Sequence, residues 1–388
     1  MKTFIEQLPI NNATHSFRRK FTASISATVA ALTLVAASCV AADTFYEQRN
    51  LVSDGFVTAA HTDANLVNAW GIAFNPTGPV WVANNGTGTS TLYDGTGTPI
   101  SLVVQIPGPL NSASAGSPTG IVFSASTTAF PVKVGNLTGP SRFIFATEQG
   151  TLAGWAPNVD LTHAFTVADA SSRHAIYKGL AVAANGTGVL LYATDFHNNK
   201  IDVYDSNFQP ITVSGKFSDP FIPNGFAPFG IQTIGGNLFV TYALQDADKH
   251  DDVQGRGLGF VDVFDPNGVL LRRIAARGPL NAPWGLALAP AGFGKFANSL
   301  LVGNFGDGRI NAYDLVSGRF LGALRGANHR ALQIDGLWAL AFGNGFAGQP
   351  VNTLYFTAGP GDEAHGLYGQ LSAKAGSGPD WPLDRDDY

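Results

Sequence analysis

The chain has one cysteine and one methionine in 388 residues, and only 13% of its residues are charged. A single cysteine excludes an intramolecular disulfide, so stability must come from packing and closure. The Cys/His spacings of zinc sites are missing, and so are G-x-S-x-G, H-E-x-x-H and the P-loop. The run Gly255-Arg256-Gly257-Leu258-Gly259 is glycine-rich but lacks the strand-to-helix setting of a nucleotide site. A formal net charge of −5 is mild. It predicts neither nucleic-acid binding, which needs a basic stripe, nor attraction to anionic lipid. Beyond the leader, no apolar run is long enough to cross a bilayer. What is plentiful is glycine, 46 residues, together with 27 phenylalanines. That composition suits many short strands joined by turns.

The first 42 residues read as a signal peptide. Arg18-Arg19-Lys20 precedes an apolar, alanine-rich run from Phe21 to Ala37, and Val40-Ala41-Ala42 supplies small residues for cleavage before Asp43. Cys39 would leave with the leader. Arg18-Arg19-x-Phe21 also resembles a twin-arginine (Tat) signal, and Ala37-Ser38-Cys39 a lipoprotein site. The expectation is a secreted or periplasmic protein, exported by the Sec or the Tat route.

The remainder repeats one short grammar. Trp70-Gly71-Ile72, Thr119-Gly120-Ile121, Lys178-Gly179-Leu180, Phe229-Gly230-Ile231, Trp284-Gly285-Leu286 and Trp338-Ala339-Leu340 recur roughly every 50–60 residues. Each is followed by a second apolar run, such as VWVAN from Val80 or LLVGN from Leu300. A third run ends on an aromatic-Asp pair in four units: Tyr93-Asp94, Tyr204-Asp205, Phe264-Asp265 and Tyr313-Asp314. These aspartates stand at hairpin starts, where Asx turns are expected. A fourth run closes most units.

Four strands per unit at this period predict an all-β, six-bladed β-propeller over residues 43–372. The sixth unit runs out after its third strand, while FYEQRNLVSD (45–54) is left over in front. The N-terminal strand is therefore expected to complete the last blade and remove the open sheet edges. Residues 373–388 are expected to form a mobile tail. The motif glycines predict close backbone approach at the axis, with the adjoining aromatics filling the wedges between sheets.

Equivalent positions in a propeller form a ring on one face. At the ends of the second strands that ring reads Asn85, Glu148, Asp195, Ala243, Phe305 and Ala358, preceded by Asn84, Thr147, Thr194, Tyr242, Asn304 and Thr357. Asn85, Glu148 and Asp195, with Asn304 and His197 nearby, offer the oxygen ligands that a hard cation such as Ca²⁺ needs, and a carboxylate there could act as a general base. The competing reading makes them turn caps, and alternation would send Asn84 and Asn85 in opposite directions. The insertion Gln245–Arg256 carries Asp246, Asp248, His250, Asp251 and Asp252, but lacks an EF-hand's glycine and terminal Glu. It reads as a solvated loop.

YEQRNLVSD, NLVNAWGIAF, PVWVANNGTGTSTLYDGTG and IDGLWALAFGNG resemble a family of secreted, mostly bacterial proteins of unknown function, similar to NHL-repeat and gluconolactonase-type propellers. The lactonase branch implies one divalent metal held in the channel by Glu, Asn and Asp, for which Asn85, Glu148, Asp195 and Asn304 have the right types. Lactonases usually take a Glu from the first blade, where this chain has asparagines. The first functional reading is a monomeric binding module for a carbohydrate, peptide or cell-envelope ligand. The alternative is a divalent-metal-dependent hydrolase of the lactonase type. A third is a structural envelope component.

Overall fold

A computed structural model describes residues 44–376. The expected leader and the part of the expected tail from 377 onward lie outside the described residues. Six antiparallel sheets of four main strands surround one axis, and the inner strand of each neighbours that of the next. Blade 1 pairs Ala69–Phe74, Val80–Asn84, Thr89–Tyr93 and Pro99–Gln105 in that order. The other inner strands are Pro118–Phe123, Tyr177–Ala184, Phe226–Ile234, Pro283–Leu288 and Leu337–Phe342. Each carries the repeated motif centred at or before its midpoint, so the six motif glycine or alanine positions lie at one level around the axis.

The ring closes as expected. Thr44–Ser53 pairs antiparallel with Leu367–Ala375, with Thr44 opposite Ala375 and Ser53 opposite Leu367. The first strand among the described residues is thus the fourth strand of the last blade. Leu367–Ala375 continues past Ser372, where the sequence alone ends the propeller, because the N-terminal strand provides a partner that far.

Each sheet is covered on both faces by its neighbours, which explains why second strands read as unbroken apolar runs. Every residue of Val80–Asn84, Phe143–Thr147 and Leu300–Asn304 is buried. The core accordingly divides into six clusters, one per interface between blades. In one of them Trp81 of blade 1 stacks on Phe143 of blade 2 at 4.0 Å. Hydroxyls stitch the same interfaces near the axis: Thr119 Oγ1 donates to Tyr177 O at 2.7 Å, and Thr194 Oγ1 to Phe229 O at 2.7 Å.

The motif glycines are there because the inner strands touch. A Cβ on Gly179 would lie 2.9 Å from Phe229 O of the next blade, and one on Gly230 would overlap Trp284 O. The aromatics beside them do not fill the wedges between sheets, as the sequence suggested. Trp70, Phe229, Trp284 and Trp338 form a seventh cluster instead. Trp70 stacks on Trp338 at 3.7 Å, and Trp284 meets both edge-on. Being at equivalent positions on converging strands, they reach one another across the axis and plug it.

The aspartates at the hairpin starts are turn formers. Asp94 Oδ1 accepts the N–H groups of Thr96 and Thr98, Asp205 and Asp265 repeat the pattern, and Asp314 Oδ1 accepts from Val316 and Ser317 instead.

Candidate functional site

The two ends of the channel differ. At the downstream ends of the inner strands it widens into a cavity of about 460 Å³, lined by residues such as Ile72, Phe74, Phe123, Leu288 and Phe342. All lining residues are apolar except Gln232 and Thr233, and the Thr233 hydroxyl is already bonded to Val182 O at 2.9 Å. At the level of the motif glycines the open space shrinks to about 30 Å³. The tryptophan cluster follows, so the wide end is a blind apolar funnel.

The opposite end is polar. In the column of motif residues (Trp70, Thr119, Lys178, Phe229, Trp284, Trp338) Lys178 is the only charge, and it is 2% exposed. Its ammonium donates to Glu148 Oε1 at 2.6 Å and to Asp251 Oδ1 at 3.0 Å, and lies 5.1 Å above the Trp70 ring. Trp284 Nε1 fixes the Lys178 carbonyl at 3.0 Å. Burial opposes the lysine's charge, but Glu148 and Asp251 outweigh it and hold its pKa above the ordinary value.

From this lysine a chain of hydrogen bonds runs around the ring. Glu148 Oε2 accepts from Asn85 Nδ2 at 2.9 Å, and Asn85 Oδ1 from Asn68 Nδ2 at 3.3 Å. Asn68 Nδ2 also donates to Glu363 Oε2 at 2.6 Å, while Asn68 Oδ1 accepts the indole N–H groups of Trp70 and Trp338. With Asp251 from blade 4 and Trp284 from blade 5, every blade contributes. The backbone is specialised here too. Asn68 and Glu363 both have positive φ, 46° and 64°. Asn tolerates that region, whereas for Glu it is costly and held by its surroundings.

Of the sequence candidates, Asn85 and Glu148 come together. Asp195 and Asn304 are spent in their own turns. Asp195 Oδ1 accepts from Ile176 N and Asn198 N, and Oδ2 from Asn198 Nδ2 at 2.8 Å. Asn304 Nδ2 donates to Pro279 O and Asp307 Oδ1. Asn84 points away from Asn85, toward Thr89 and Thr91. His197 stays outside the chain of bonds. The Cα positions are equivalent around the ring, but the turn that follows each strand decides which side chains face the axis.

The insertion read as a solvated loop is exposed over most of its length, and it also forms a strap over this end of the channel. Asp252–Val253 pairs with Leu244 and Gln245, Asp246 N bonds Asp251 O at 2.8 Å, and Gly255 N bonds Asn281 Oδ1 at 2.6 Å. Asp251 thereby reaches Lys178. Asp252 is carried inward, with Oδ2 lacking a hydrogen-bond partner, and burial pushes its pKa up to about 7 despite the lysine charge. Burial likewise raises Glu363. Lys178 and Glu363 were not picked out from the sequence as site residues, and the insertion, though singled out there, was not placed over the channel. A lysine in an otherwise aromatic or hydroxyl column was the available signal.

Glu148, His250 and Asp251 offer ligand atoms within 4.8 Å of one another. They do not fit a divalent ion as arranged. Lys178 Nζ is bonded to both carboxylates, and Asn85 turns N–H rather than oxygen toward Glu148.

A second ionic group lies in blade 4, where Arg273 bridges Asp219 and Asp262 and packs 5.0 Å over Phe260. Asp262 is fully buried and burial pushes it up to about 7.

No family model matches the chain. The uncharacterized protein R648 of Acanthamoeba polyphaga mimivirus is 36% identical over 328 residues, covering 83% of this chain and 78% of the relative. The uncharacterized protein L690 of the same virus is 35% identical over 332 residues, covering 83% and 84%. Among solved structures, a protein of unknown function from Bacteroides thetaiotaomicron superposes with a TM-score of 0.51 at 9% identity, over 86% of this chain and 77% of that one. A protein assigned as a gluconolactonase gives 0.49 at 14% identity, over 85% and 94%. The structural likeness concerns the fold alone. The sequence resemblance pointed to a mostly bacterial family, and these viral relatives correct that expectation. The chain belongs to the same family as the mimiviral proteins R648 and L690.

Proposed function

We propose that the protein is an exported, monomeric binding module whose ligand seat is the apolar funnel. The observation that supports this reading is the funnel's form: a blind cavity of about 460 Å³ with almost wholly apolar side chains. Ligand sites commonly fall between ~300 and 1,000 Å³ and are lined mainly by apolar groups with a few polar ones. The ligand class this favours is a molecule with an apolar body, such as an acyl or aromatic group of a cell-envelope component, with a polar end beside the exposed Gln232.

Titration with the apolar fluorophore N-phenyl-1-naphthylamine tests it. One saturable site is expected, and Ala341→Trp, which fills the funnel, should abolish it without changing the melting temperature. Absence of saturable binding, or binding untouched by Ala341→Trp, would remove the funnel as the seat.

A lactonase-type metallohydrolase is the second reading; it would require Lys178 to leave Glu148 and Asp251, whose oxygens lie with a His250 nitrogen within 4.8 Å of one another. Elemental analysis and melting with a chelator separate the two. About one divalent ion per chain and a lower melting temperature on chelation would favour the hydrolase.

A further inference from the structure

We infer that Lys178 is the resident cation of the axial site, taking the position a divalent ion would need, and that its ammonium latches the strap of residues 246–256 over that end of the channel. The lysine is fixed from within the ring. Trp70 lies beneath its ammonium, Trp284 holds its carbonyl, and Glu148 of blade 2 is 17% exposed beside it. The strap is the partner that can leave, since the Asp251 side chain is 61% exposed.

The direction of the hydrogen bonds matches an ammonium. Lys178 has three donors and no acceptor, and Glu148 and Asp251 present acceptors to it. The second oxygen of Glu148 accepts from Asn85 Nδ2, whose own oxygen is taken by Asn68. A calcium ion needs six or more oxygens, and here an amide N–H and an ammonium stand where those oxygens would be. Glu148 and Asp251 both bond the one cation, and the partly buried acids Asp252 and Glu363 stand farther out. Lifting the strap would strip the buried ammonium of one of its two carboxylate partners, so closure of the strap and pairing of Lys178 are one event.

Trypsin reads the strap directly, through cleavage at Lys249 and Arg256, and fragment masses report it. In the wild-type chain, melting and cleavage should be indifferent to Ca²⁺, Mn²⁺ and chelator. Asp251→Asn keeps Lys178 and Glu148 and should speed strap cleavage about tenfold, the scale of one lost charge-assisted bond. Lys178→Ala should do the same and lower the melting temperature. n-Propylammonium, which replaces the deleted atoms, should restore both, and Ca²⁺ should not. A divalent ion bound at this site in the wild type, or Asp251→Asn cleaved at the wild-type rate, would overturn the inference. Rescue of Lys178→Ala by Ca²⁺ but not by the amine would do so too. Should Lys178→Ala fail to fold, Asp251→Asn and the wild-type metal response decide.

Discussion

The indoles of Trp70 and Trp338, from the first and last blades, stack 3.7 Å apart, and both N–H groups end on one atom, Asn68 Oδ1. Asn68 Nδ2 is equally committed, to Asn85 and Glu363. One small amide therefore saturates two buried donors and ties the closing seam to the polar arc. Asn68→Ala leaves both indole N–H groups unpaired, at about 1–3 kcal/mol each. Trp338→Phe keeps an aromatic stack and removes one donor together with its share of Asn68 Oδ1. In denaturant unfolding followed by tryptophan fluorescence, Asn68→Ala should lose several kcal/mol and Trp338→Phe distinctly less. The reverse order would show that stacking, and not the shared acceptor, holds the seam.

The motif glycines make a second prediction. A Cβ on Gly230 would overlap Trp284 O, while the sixth blade already carries Ala339 at the equivalent position. Gly230→Ala should destabilise by about 1–3 kcal/mol or more through overpacking. Ala339→Gly should cost far less. Paired thermal melts of the two variants compare them under one condition, and equal losses would mean that the blades do not crowd at this level.

Asp252 gives a pH dependence with a definite sign. Burial pushes its pKa up to about 7 in the folded chain from an ordinary 3.8, so between these values the folded state holds a proton that the unfolded state has lost. The penalty is absent below about pH 4, grows through the window and is complete above about pH 7, at up to about 1.4 kcal/mol per pH unit. Asp252→Asn should therefore gain stability over the wild type progressively from pH 4 to 7 and hold that gain at pH 8. Asp262 adds a slope of the same sign in both proteins and cancels in the difference. A constant difference across the range would place the Asp252 pKa near its ordinary value.

Blade number, strand order and ring closure were legible in the sequence because each rests on a local pattern repeated six times. Trp70-Gly71 and its equivalents mark inner strands by a contact that any propeller of this spacing must make. The pairing of Asn85 with Glu148 was legible in the same way, as neighbouring positions on one ring. The fates of Asp195 and Asn304 were not, since Asn198 and Asp307, each three residues on, capture them through turn geometry that periodicity does not encode. The insertion was singled out, but its contact with the axis was missed for a related reason. Asp251 looks like any exposed acid until blade 4 is set opposite Lys178, a contact between residues 73 positions apart.

The pairing of Thr44–Ser53 with Leu367–Ala375 also sets a clock on maturation. A chain delivered from its N-terminus presents its first strand before any of the other five blades exists, and the partner is the last one to arrive. Blades 1 to 5 complete themselves from local sequence, but the ring stays an open arc with two unsealed ends until the final strand emerges. Such long-range pairing is slow, and exposed edges in the meantime invite aggregation. A chain stopped a few residues short of Leu367 would lose the partner of Thr44–Ser53, so damage at one end of the propeller's sequence is felt at the other.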